Sequence, residues 1–192
     1  MLMMWLRVLY TAFVVVLVPA YMKHYGPGNF LWLSDIALFG GCIALWLRHS
    51  LLASMQAVAV LVPESVWNID FLLRVTLNVR LIGMTDYMFD PSIPRFVRTL
   101  SLFHIWLPVV LVWMVWRFGY DQRALATQTA VGTCVLIATY LLTSPDVNIN
   151  LVHRVGEVRG PLALGLACVL FPVVFYVPAH LLFRFVMPSS KR

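Results

Sequence analysis

SLFHIWLPVVLVWMVW, residues 101–116, is the stretch that decides how this chain is built. His104 is its one ionisable side chain, set among residues that are almost all aliphatic or aromatic. The apolar positions run on without alternating, which predicts a helix rather than a strand of a membrane barrel. With its upstream flank the stretch covers 96–116, and a membrane-spanning helix needs roughly 20 mostly apolar residues. Comparable stretches lie near 2–22, 29–47, 50–63, 65–84, 123–143 and 160–187. The third is short and ends at Pro63, so the third and fourth are either two elements or one broken span. The expected fold is all-α: a polytopic transmembrane helix bundle of about six or seven spans, with residues 1–192 forming a single integral membrane domain.

Composition agrees. Of the 192 residues 61% are apolar and 11% charged, far too little charge to cover a soluble domain. The formal charge of +6 is scattered over short loops with no Lys/Arg-rich run, which argues against nucleic-acid binding and for anchoring at lipid headgroups. Loop cations divide evenly between the two sides, so orientation stays open; the terminal Lys191-Arg192 pair hints at a cytoplasmic C-terminus. Leu2 to Met22 reads as an uncleaved first helix, since Arg7 is the whole of its positive region. Cys42, Cys134 and Cys168 each lie in an apolar run without C-x-x-C spacing, which favours buried small side chains over disulfides or zinc.

Function can be read only from polar residues inside spans, where each charge costs about 2.5–3.5 kcal/mol and normally faces the bundle interior. Asp70, Arg74 and Asn78 recur at helical spacing on the expected fourth span, so they should share one stripe, with Asp70 and Arg74 paired. That stripe is either a structural ion pair or a polar cavity wall in which Arg74 meets an anionic group. Asp35, early in the second span, demands a partner or a proton. His104 shares a face with Ser101 and Pro108; the proline removes the hydrogen bond to the His104 carbonyl and frees an acceptor beside the imidazole. The ring either cross-links helices or acts as a general base. His104 and His180 would be the pair for a haem, but no other haem signature accompanies them.

Several short motifs occur in a telling order. Asn68-Ile69-Asp70-Phe71, then Gly83, the turn with Pro91 and Pro94, and Phe103-His104 resemble a bacterial integral membrane family related to the vertebrate transmembrane acyltransferase of phospholipid remodelling. His104-Ile105-Trp106-Leu107-Pro108 is similar to the His-x-x-Leu-Pro segment of the androgen-induced and androgen-dependent membrane hydrolases, multipass enzymes that cleave fatty acid esters of hydroxy fatty acids. Residues 28–34 (GNFLWLS) resemble the segment carrying their nucleophilic threonine, and Asn148-Ile149-Asn150 an asparagine-rich turn of the bacterial relatives. The nucleophile is threonine in the hydrolases and cysteine in the acyltransferase; Ser34 stands in that place here.

The resemblance implies an intramembrane acyl-ester hydrolase or acyltransferase acting on membrane lipids, in a bacterial inner membrane. Ser34 would attack a lipid ester carbonyl and His104 would take its proton. Asp35 or another carboxylate would orient the imidazole, Asn68 or Asn78 would donate to the oxyanion, and Asp70 and Arg74 would contact substrate, Arg74 through a headgroup or carboxylate. No metal or other cofactor is required. The alternative is a multipass membrane protein without enzymatic activity, such as a small transporter, a lipid-binding protein or a scaffold, in which Ser34 is a packing residue.

Overall fold

Continuous apolar sequence gives long helices, and a computed structural model describes them for residues 2–189. Lys191 and Arg192 lie outside the described residues. In chain order the helices are α1 (Leu2–Tyr25), α2 (Leu33–Leu47), α3 (Ser50–Leu77), α4 (Arg95–Leu100), α5 (Phe103–Phe118), α6 (Ala124–Leu142), α7 (Pro161–Leu170) and α8 (Val177–Val186). A tight turn at Ser101 and Leu102 joins α4 to α5, and a π-helical segment, Phe171–Tyr176, joins α7 to α8. Counted through those joints, five helices among the described residues are long and apolar enough to cross a membrane, and α2 is a shorter apolar sixth of 15 residues. Pro172 lies in the π segment and Pro178 just after it, and each removes a backbone donor from the helix.

The central element is α3, which packs against α2, α5, α6 and the α7–α8 helix. Residues 53–60 are buried on every side, which is why that stretch reads as apolar all round. The expected third and fourth spans are one continuous 28-residue helix with Pro63 inside it. Proline ends helices in water because freed carbonyls are solvated there; in a packed apolar bundle, unwinding would strand many more polar groups than the one that proline frees.

Small residues let α2 close on its neighbours. A Cβ on Gly41 would stand 2.7 Å from the Tyr10 hydroxyl, and that hydroxyl donates to the Leu38 carbonyl at 2.8 Å. At the far end of α3 the helix stops earlier than the apolar pattern suggests. Asn78, expected on the helical stripe, caps it instead in the left-handed region at φ 54°. Residues 78–94 form an irregular loop containing one 3-10 turn, Asp86–Phe89, and this loop folds back over the helix end.

Candidate functional site

A cavity of about 530 Å3 opens between α1, α2, α3, α5 and the π segment. Ser34, Asp35 and His104, singled out from sequence, all line it, together with Glu64, Asn29, Asn150 and a set of aromatic residues.

The α2 end of the cavity is built by turns. Gly26-Pro27-Gly28-Asn29 leads into a 3-10 helix, Pro27–Leu31, and Trp32 takes the N-cap position of α2. Trp32 offers no side-chain cap, so the first amides of the helix need acceptors from elsewhere. Asn150 supplies one. Held at φ 52°, it accepts from Leu33 N at 3.1 Å and donates to the Leu31 carbonyl at 2.7 Å, clamping the helix start from 117 residues away. The backbone N–H groups of Ser34 and Asp35 have no acceptor among the described residues. Ser34 is therefore a hydroxyl in the first turn of a helix, beside two free amides and at the positive end of the helix dipole.

Asp35 is 2% exposed. Its Oδ2 accepts from Asn29 Nδ2 at 3.2 Å, while its Oδ1 is buried without a partner. Asp35 does not orient the imidazole. That partner is Glu64, whose Oε2 lies 2.6 Å from His104 Nδ1. Glu64 was not visible from sequence because it falls in the supposed break between the third and fourth stretches; a lone carboxylate beside a helical proline was the available signal. The imidazole also stacks on two rings, with Phe103 at 4.1 Å and Trp67 at 4.7 Å between centroids.

Asn68, the expected oxyanion donor, does not line the cavity and is bonded to two backbone carbonyls. Its Nδ2 donates to the His104 carbonyl at 2.8 Å and to the Glu64 carbonyl at 2.8 Å, so both amide hydrogens are used. The first of these is the acceptor that Pro108 frees. Across the cavity the Tyr21 hydroxyl and Ser101 Oγ are 2.7 Å apart. Tyr87, on the 3-10 turn of the loop, adds a phenol that burial pushes above its ordinary pKa and so keeps neutral.

The expected Asp70–Arg74–Asn78 stripe does not reach the cavity. Asp70 is not paired with Arg74. Its carboxylate accepts from Ile82 N (3.0 Å), Gly83 N (3.4 Å), Thr85 N (3.0 Å) and Thr85 Oγ1 (2.8 Å), which fills its lone pairs and pins the 78–94 loop. Arg74 instead lies over the Phe89 ring, 5.5 Å from its centroid. His180 is also outside the cavity, with Nδ1 2.6 Å from the Tyr120 hydroxyl.

No family model, curated protein or solved structure matches this chain, so a functional reading rests on the residues of the cavity.

Proposed function

We propose that the chain is an intramembrane acyl-ester hydrolase or acyltransferase whose nucleophile is Ser34 and whose general base is His104. The observation that carries this reading is the 2.6 Å contact between His104 Nδ1 and Glu64 Oε2 on the wall of the cavity that Ser34 also lines. A carboxylate at Nδ1 keeps the proton there and leaves Nε2 as the basic nitrogen, the division of labour found in serine hydrolases. Ser34 Oγ gives its proton to Nε2 and bonds to the ester carbonyl carbon. The carbonyl oxygen becomes an oxyanion, for which the free amides of Ser34 and Asp35 are ready donors. Collapse breaks the ester C–O bond, and the leaving alkoxide takes the proton from Nε2. Water or a second hydroxyl then attacks the acyl-serine by the reverse sequence. The mostly apolar lining suits an acyl chain, and membrane lipids of a bacterial inner membrane are the substrates this reading assigns.

A fluorophosphonate probe tests it. Folded protein in neutral detergent should label, and Ser34→Ala or His104→Ala should abolish labelling. Glu64→Gln keeps the shape but removes the charge that holds the tautomer, so its labelling rate should fall by about 100-fold or more. Wild type that never labels while folded removes the enzyme. The rival reading, a lipid-binding membrane protein, draws on one observation: Ser34 Oγ makes no hydrogen bond to His104 among the described residues.

A further inference from the structure

Among the described residues the cavity is lined by two carboxylates and by no lysine or arginine. Glu64 is committed to His104, whereas Asp35 accepts a hydrogen bond only from Asn29 among the described residues, and its Oδ1 is buried with no partner. A buried carboxylate oxygen without a partner is costly, and such a group persists where something else completes it. The other walls are aromatic: Tyr21, Tyr25, Trp32, Trp67, Tyr87 and Phe175 all face the same space. Aromatic faces attract cations, more strongly once water is excluded, and rings around a carboxylate are the standard means of holding an ammonium group. No lysine or arginine among the described residues lines the cavity to hold a permanent anion, and Arg74, the residue expected to hold one, lies outside.

From the unpartnered Asp35 oxygen within this aromatic wall, which has no lysine or arginine among the described residues, we infer that the cavity binds an organic ammonium group carried on an apolar chain. The inference names the substrate class of the proposed site and rests on the cavity being the place where substrate sits. The ammonium meets Asp35, the rings enclose its alkyl substituents, and the chain follows the apolar side of Val60, Leu151 and Phe171.

Binding without turnover tests it, on the full chain in maltoside micelles with Ser34→Ala so that no ester is consumed. Calorimetric titrations would compare hexyltrimethylammonium, neutral hexanol and hexyl phosphate, with protein-free micelles correcting for partitioning. The cation should bind at least about tenfold more tightly than either of the others, a modest demand for a desolvated ammonium. Asp35→Asn should remove that preference. The ligand comparison needs no change at Asp35, so it stands even if that variant fails to fold. Hexanol binding as tightly as the cation would overturn the inference, and so would a preference that survives Asp35→Asn in folded protein. Dihexanoyl phosphatidylcholine binding in an Asp35-dependent way identifies a lipid headgroup as the source, whereas binding of hexyltrimethylammonium alone identifies a free amphiphilic amine. A cation preference in protein that never labels with fluorophosphonate keeps this recognition and discards the hydrolase; labelling without a cation preference does the reverse.

Discussion

At His104, backbone and side chain are tied to the same neighbouring helix. The side chain meets Glu64, and the carbonyl that Pro108 leaves unbonded meets Asn68, one turn further along α3. Asn68→Ala should therefore strand a buried carbonyl and cost about 1–3 kcal/mol in unfolding free energy. Pro108→Ala would return an N–H to that carbonyl from within α5, so the cost of Asn68→Ala should shrink in the Pro108→Ala background. Thermal unfolding of the four proteins in one detergent measures the coupling. Equal costs in both backgrounds would mean that the amide is not serving the carbonyl. Half of this arrangement was legible: proline at position 108 announces a free acceptor at 104 by chain geometry alone. The donor was not, because nothing local says which helix packs there. Asn68 was singled out, but its role follows only from a contact across 36 positions of sequence.

Helix length was the part of the elements that sequence rules misjudged, and both errors bear on the site. Pro63 suggested a break in what is one helix, so Glu64 was assigned to no element. The apolar residues after Leu77 suggested a helix running to 84, yet Asn78 turns the chain, and Val79, Leu81, Ile82 and Met84 belong to the loop. Hydropathy cannot separate a helix from a loop made of the same residues; four donors converging on Asp70 do. Asp70→Ala should release that loop without melting α3. Hydrogen bonds to a charged acceptor contribute about 1.5–3 kcal/mol each, so amide exchange at Ile82 and Thr85 should accelerate about tenfold or more. Exchange in the buried 53–60 segment should stay slow. Loss of protection in both places together would show that Asp70 supports the whole bundle. Because Met84 and Tyr87 line the cavity, a loosened loop should also weaken ligand binding there.

Across the whole molecule, the bundle depends on how closely α1, α2 and α5 approach one another. Gly41 faces the Tyr10 hydroxyl with no room for a methyl group, and Leu111 of α5 closes the other side at 3.2 Å from the same Cβ position. Gly41→Ala should cost about 1–3 kcal/mol by overpacking. Removing the hydroxyl with Tyr10→Phe should recover part of that loss, although the single Tyr10→Phe change gives up its bond to Leu38. Unfolding of the double variant set is the measurement, and no recovery would place the strain at Leu111 instead. That an all-α membrane bundle forms was plain from the long apolar runs. That Ser34 and His104 share one cavity depends on two tight turns and an asparagine clamp, none of which carries a periodic signal.

The brevity of α2 has a consequence of its own. Fifteen residues reach about 22 Å along a helix axis, whereas the hydrocarbon slab is about 30 Å thick. One end of this rod must stop short, and the polar turn of Gly26 to Asn29 together with the Asn150 clamp marks that end as the one bearing Ser34. Under the proposed reading the hydroxyl then lies inside the hydrocarbon edge, below the level of the ester linkages, so a lipid would have to sink to bring its carbonyl within reach.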